Sequence, residues 1–342
     1  MSLSTRPGSS GGPDTPDGSE GVGSPERLGS PDNPGKSGAT GGSGATGGSG
    51  ASTDAFPPPR RRLLQWPAMW RQPLTVVGGV IVLAWLLVAL FGRWIEPFDP
   101  LAQSANRLAA PGGEHLLGTD TLGRDVLSRI IAGARVTLPL SIMLVVASML
   151  LGSTLGAIAG YFGRFVDEVI MRIADLVFAF PTIILAMVIT AALGPGLQNA
   201  VFAMLLVSWP QYARVTRSLV LGARNREYVI ASRLLGTGVF RSLTRDILPN
   251  ILAPILVLAM LDFGSAILLL SGLSFLGLGT VPPTPEWGAM VREGVQQFSA
   301  WWIAVYSGLA IFSVVVAFNL IGDSLRDALD PRSQKAVGGR AL

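Results

Sequence analysis

The apolar positions of this chain gather into long uninterrupted runs beyond residue 62, separated by short stretches that hold most of the charge. A run of about 20 uncharged residues is long enough to cross a ~30 Å hydrocarbon layer as a helix. Leu74 to Gly92 is such a run, and Val136 to Gly160 is another. Leu176 to Ala213 is uncharged over 38 positions, too long for one crossing, and Gly194, Pro195 and Gly196 near its middle mark a turn. That turn divides it into spans at about 172–193 and 198–220. A fifth span, about 250–273, carries Asp262 near its centre, and a sixth, 301–322, opens on the pair Trp301 and Trp302. The pattern predicts an all-α integral membrane protein: six transmembrane helices in one membrane domain over 74–325, with both termini on one side.

Arginine placement chooses the side. The connection after span four holds Arg214, Arg217, Arg224, Arg226, Arg233, Arg241 and Arg245, whereas the turn after span three has none and the loop after span five only Arg292. Basic residues accumulate on the cytoplasmic side of spans, so this connection and both termini are read as cytoplasmic. Arg164 and Arg326 agree, as do Arg60, Arg61, Arg62, Arg71, Arg332 and Lys335. The loop at 93–135 runs against the rule with five arginines; it also holds five acids, Glu96, Asp99, Glu114, Asp120 and Asp125, but only Lys and Arg count strongly in the rule. Within it, 124–135 can form an amphipathic helix with Val126, Ile130 and Ile131 on one side and Arg124 and Arg135 elsewhere. Such a helix would lie at the outer interface or at a partner contact.

Composition narrows the class. Hydrophobic residues make up 49% and charged residues 14%, with a mean hydropathy of +0.48; soluble domains carry about a quarter charged residues, which argues against a soluble globular enzyme. Residues 1–56 are rich in Gly, Ser and Pro, repeat SGATGG, and read as a disordered cytoplasmic tail without apolar payload. Residues 57–73 are basic, with Trp66 and Trp70, and suit a helix on the membrane surface; 326–342 form a short C-terminal tail. The pI near 9.9 suits nucleic acid in principle, but the arginines flank apolar runs, so a bilayer rather than nucleic acid is the expected partner.

Little in the chain could carry catalysis. Without cysteine there is no thiolate nucleophile or thiolate-bound metal, and a single histidine, His115, read as a solvated loop residue, excludes any motif needing two. SPDNPGKS at 30–37 falls one glycine short of a phosphate-binding loop and lacks its flanking strand and helix. No cofactor or metal is therefore expected, and ATP hydrolysis would have to occur on a partner. Acids within spans are better functional candidates, because charge in a membrane is costly and faces a cavity or a partner. Asp262 stands mid-span, either in a transport path or at a helix contact; Asp175 and Arg172 lie near the inner end of span three. A channel or proton-coupled carrier using Asp262 is the rival reading.

The cytoplasmic connection REYVIASRLLGTGVFRSLTRDILPN, 226–250, is the most informative segment. Tyr228, Ala231 and Leu235 recur at i, i+3 and i+7, an apolar stripe for a short helix, and Gly236 suits its stop. A second short helix can start at Val239, ahead of Pro249 at the head of span five. These residues resemble the EAA loop of ABC importer permeases. Ile230, Ala231 and Ser232 occupy the E-A-A positions, Gly236 the glycine, and Leu248 and Pro249 the terminal Leu-Pro; Ile230, Ser232 and Asp246 depart from the usual Glu, Ala and aliphatic residue. LLGTDTLGRDVLSRIIAGARVTL at 116–138 and LSFLGLGTVPPTPEWGAM at 273–290 are similar to the C-type permease subunit of dipeptide and oligopeptide importers, a subfamily that includes nickel permeases.

The resemblance covers roughly 66–332 and implies a type I importer fold whose first span packs outside a five-helix core. It implies a bacterial plasma-membrane protein paired with a homologous permease, two cytoplasmic ABC ATPase subunits, and an extracytoplasmic peptide-binding protein that delivers substrate. It assigns ATPase coupling to a segment that here holds Glu227, Tyr228, Ala231, Ser232, Arg233, Gly236 and Pro249.

Overall fold

The computed structural model describes residues 73–329. The tail at 1–56, its near-miss phosphate loop, the basic segment with Trp66, Trp70 and Arg71, and the chain from residue 330 lie outside the described residues. Nine helices order the described residues: α1 (Pro73–Ile95), α2 (Val126–Phe162), α3 (Arg164–Phe178), α4 (Thr182–Leu193), α5 (Leu197–Arg224), α6 (Glu227–Leu234), α7 (Val239–Phe275), α8 (Trp287–Gln296) and α9 (Trp301–Leu329). Among the described residues there is no named strand, only two isolated bridges.

α1, α2, α7 and α9 are each long and apolar enough to cross a membrane. α1 lies at the edge, mostly exposed, against α9 and α2. α2 packs along α5, and α7 and α9 complete the core around Leu138, Leu144, Tyr212, Ile267, Leu270 and Val314. The α2–α5 contact rests on Gly152, Gly156 and Gly160, one turn apart on α2. A Cβ at Gly152 would stand 2.3 Å from the Trp209 carbonyl oxygen, and one at Gly156 2.3 Å from that of Ala213. The spacing of four is the sequence signal for this close approach, and the run-length reading passed over it.

Three expected spans change shape. Span three is broken: α3 and α4 meet at 90°, because Pro181 has no N–H to donate and restricts Phe180 before it. Span four is the full helix α5, but Gln198, Asn199, Gln211, Arg214 and Arg217 keep it out of the set that passes on apolarity. Its apolar burial comes instead from α2, α4 and α7. Span five does not begin near Asn250: α7 runs on continuously from Val239 through a π-helical turn at Ser242–Ile247. The Leu248 N–H donates to the Leu243 carbonyl, five residues back, and this wider turn precedes Pro249, whose ring would press on the carbonyl four residues earlier in a regular helix.

The expected interfacial helix at 124–135 is instead the first part of α2, buried in the chain's own core. Val126 is 0% exposed and Ile130 6%. Asp125 caps it, its Oδ2 accepting from the Ser128 N–H at 2.8 Å and the Ser128 hydroxyl at 2.7 Å, a cap worth about 1 kcal/mol. His115 is not solvated: it is nearly buried, 3.0 Å from Asp125 Oδ1 and against the Phe98 ring.

Candidate functional site

Three places concentrate polar side chains: the loops before α2 and around α8, the middle of the helix bundle, and the arginine-rich elbow between α5 and α7.

The first joins the two stretches 116–138 and 273–290 although they are far apart in sequence. The Trp287 indole donates to the Ile130 carbonyl at 3.0 Å, and its ring lies where a Cβ at Gly133 would stand. The Trp302 indole donates to the Thr119 carbonyl at 3.1 Å. Buried Asp120 receives Arg124 Nε at 2.6 Å and has Arg129 Nη1 3.0 Å away. Glu293 of α8 approaches the same two guanidiniums at 3.7 and 3.8 Å and accepts from the Thr121 hydroxyl. Arg135 pairs with Glu96. Three of the five arginines that run against the charge rule, Arg124, Arg129 and Arg135, are thus paired with acids.

Glu286 caps α8, accepting from the Gly288 and Ala289 N–H groups at 2.9 Å each. Burial pushes its carboxyl above the ordinary range, and the hydrogen bonds from Gly288 and Ala289 oppose this only in part.

In the middle of the bundle, Asp262 lines a groove of about 610 Å³ between the α3–α4 break, α5 and α7. The fully buried Tyr212 donates its phenol to Asp262 Oδ2 at 2.8 Å. The polar lining is completed by Thr182, Ser208, Gln211 and Ser265, and no basic side chain lines it. The nearest arginine on α5, Arg214, is held elsewhere: Nη2 lies 2.6 Å from Asp175 Oδ1, and the guanidinium sits 4.2 Å over the Phe178 ring. Asp175 is therefore paired with Arg214, while Arg172 reaches only Glu168, at 3.8 Å. Asp167 holds Arg217 by both oxygens.

At the elbow the backbone follows the expectation closely. α6 ends in a two-bond stop: the Gly236 N–H donates to the Arg233 carbonyl at 2.9 Å and the Thr237 N–H to the Ser232 carbonyl at 3.2 Å. Gly236 has φ +83°, the left-handed conformation this stop requires. Tyr228, Ala231 and Leu235, the apolar stripe, are exposed; the residue that packs inward is Val229, 0% exposed, because the short helix lies on the bundle by its other face. Leu234, Leu235 and Phe240 project at 83%, 88% and 79% exposure. Arg233 stacks on the Tyr161 ring at 4.6 Å, Ser232 donates to the Thr237 hydroxyl, and Asn250 donates to the Tyr228 hydroxyl at 3.2 Å. Glu227 opens α6 and is exposed, as is Pro249, which sits inside α7 rather than at its head. Asp246, in the π turn, has Oδ2 buried without a hydrogen-bond partner among the described residues.

The described residues hold no cluster of three or more metal-ligating side chains. Comparison with known proteins identifies two sequence profiles. One, described as the binding-protein-dependent transport system inner membrane component, matches residues 152–335; the other, the N-terminal TM domain of oligopeptide transport permease C, matches 64–111. The dipeptide transport system permease protein DppC of Escherichia coli (strain K12) is 49% identical over 276 residues, covering 78% of this chain and 92% of the relative. The di/tripeptide transport system permease protein DppC of Pseudomonas aeruginosa (strain UCBPP-PA14) is 46% identical over 272 residues, 76% and 89% respectively. The glutathione transport system permease protein GsiD of Pectobacterium atrosepticum is 41% identical over 270 residues, 78% and 90%.

Proposed function

The chain belongs to the inner-membrane components of binding-protein-dependent transport systems, and from that premise we propose that it is the permease subunit of an ATP-driven importer of di- and oligopeptides. ATP hydrolysis belongs to separate subunits of such systems. The chain crosses the membrane six times, with α5 and the broken α3–α4 pair each counted once, and both termini are cytoplasmic. A homologous permease faces it across the path, and the groove beside Asp262 is part of the wall. A peptide-binding protein delivers substrate at the loops around α8, and two ATPases seat on the elbow.

One observation carries the coupling assignment: Leu234 and Leu235 at the end of the short α6, and Phe240 at the start of α7, stand almost fully exposed amid the arginines of the charged end. Apolar side chains projecting there call for a protein surface to cover them. The helix is rigidly stopped at Gly236 and joined to α7 by a short connection, so a push on α6 is delivered to the helix that carries Asp262. Glu227, Tyr228, Ser232 and Arg233 supply the polar rim of that seat, Ala231 leaves room for close approach, and Pro249 shapes the π turn behind it.

The test is reconstitution. Dipeptide uptake into proteoliposomes should require the second permease, the ATPases, the binding protein and ATP together. A proton-coupled carrier is the alternative favoured by the helix break beside a mid-span acid; uptake by this chain alone, driven by a pH gradient, would establish it and sink the importer reading.

A further inference from the structure

Asp262 sits at the fifteenth of the 28 residues of Leu248–Phe275, the α-helical part of α7, level with the break between α3 and α4 and with Gln211 of α5. A carboxylate at such depth needs a partner of opposite charge or a path to water. Among the described residues no arginine or lysine lines this groove: Arg214, whose guanidinium lies over the groove-lining Phe178 ring, is paired with Asp175, and Arg217 with Asp167. Tyr212 satisfies one oxygen of Asp262 and is a neutral donor. The rest of the groove is walled by Phe178, Val207 and leucines of α7, and its remaining polar groups are three hydroxyls and one amide, which can accept as well as donate. Around one uncompensated acid, such a lining suits a cationic group that brings several N–H donors.

We propose that the groove between α5, α7 and the α3–α4 break is a binding subsite for a primary ammonium group, with Asp262 as its counter-charge and Ser208, Gln211 and Ser265 as hydrogen-bond acceptors. An ammonium has three donors and no acceptor. A peptide carries one at its amino terminus, so the subsite would hold the amino end of the cargo as it passes. Tyr212 is a positioning residue: its hydroxyl fixes the Asp262 carboxylate at the groove wall from a fully buried site. The assignment rests on the reading of the groove as part of the transport path.

The chain has no cysteine of its own, so Ser265→Cys places a single thiol one helical turn from Asp262. The variant is assembled with cysteine-free partners in proteoliposomes and treated with methanethiosulfonates of matched size, one an ammonium and one a sulfonate. At a separation of ~6 Å and an effective dielectric of ~40, one charge pair changes local occupancy roughly tenfold. The ammonium reagent, attracted by that factor, should therefore react about a hundredfold faster than the sulfonate, which is repelled by it, after correction for their intrinsic rates. Adding Asp262→Asn, which keeps an acceptor for Tyr212, should abolish that preference. Millimolar dipeptide with a free amino terminus should slow labelling, and its N-acetylated form should not.

Equal rates for the two reagents, or a preference that survives Asp262→Asn, would overturn the subsite while leaving the path intact. Equal protection by the acetylated peptide would overturn the assignment to an ammonium. A thiol that neither reagent reaches would show the groove to be sealed, and would remove the path reading together with the inference built on it.

Discussion

Substituting Gly156 tests how closely α2 and α5 are seated. A Cβ there would lie 2.3 Å from the Ala213 carbonyl oxygen and 2.9 Å from the Ala213 Cα and carbonyl carbon. All three are backbone atoms, so no side-chain rotation relieves the overlap, and the helices must separate by about 1 Å to restore ordinary contact. Tilting offers no escape. Gly152 meets the Trp209 carbonyl at 2.3 Å one turn above, and Gly160 the Arg217 carbonyl at 2.9 Å one turn below. Overpacking of this kind costs about 1–3 kcal/mol, so Gly156→Ala should lower the melting point of the purified complex in detergent, and Gly156→Val should prevent its assembly. The same shift would pull Tyr212 and Arg217 away from Asp262 and Asp167, so uptake should fall further than stability alone accounts for. Gly308→Ala is the control: a Cβ there meets no atom within 4 Å, and removing a helical glycine should be neutral or stabilising by roughly 0.5–1 kcal/mol. If Gly156→Ala melts no lower than Gly308→Ala, the α2–α5 contact is not as tight as described, and the reasoning fails.

Gly236 separates backbone strain from partner contact. Its φ is +83°, and a Cβ there would meet no atom of this chain within 4 Å. Gly236→Asn should keep ATPase attachment because Asn tolerates the left-handed region, whereas Gly236→Val should weaken it or uncouple hydrolysis from uptake; an Asn variant as defective as Val would assign the position to partner packing instead. Asp262→Arg should abolish assembly or uptake, since it puts a larger side chain with an obligatory charge into the span at roughly 2.5 kcal/mol or more, while Asp262→Asn should assemble normally; the check is co-purification of the partner permease. Glu286 has its carboxyl raised by burial, so the fold favours the protonated form. Its contribution is therefore full below the ordinary carboxylate range and declines as pH rises through the raised value. Melting points measured from pH 4 to 8 should fall more steeply for the wild type than for Glu286→Gln, and a wild type that gains on the Gln variant as pH rises would contradict the burial argument.

Some of this architecture was legible residue by residue. Run length marked the apolar helices because a membrane demands an uninterrupted apolar segment, and that requirement is local. Gly236 announced the end of α6, since a left-handed stop selects for a missing side chain at one position. The Gly194–Pro195–Gly196 turn between α4 and α5 was legible for the same reason. The motifs at 116–138, 226–250 and 273–290 pointed to a family that the relatives bear out.

What only the tertiary structure decided is which polar groups meet. Tyr212 finds Asp262 across 50 positions, and Thr121 finds Glu293 across 172, pairings set by how far each helix is rotated about its axis and by where its neighbours end. The same rotation left the apolar stripe of α6 facing outward and buried Val229. It also drew Arg124 and Arg129 into a shared ion cluster with Asp120 and Glu293, where charge counting along the chain saw only an anomalous loop. A sequence specifies the length of an apolar run and the stops at its ends through local sterics and solvation. The facing of a helix, and so the partner of each buried charge, depends on the packing of all the helices at once.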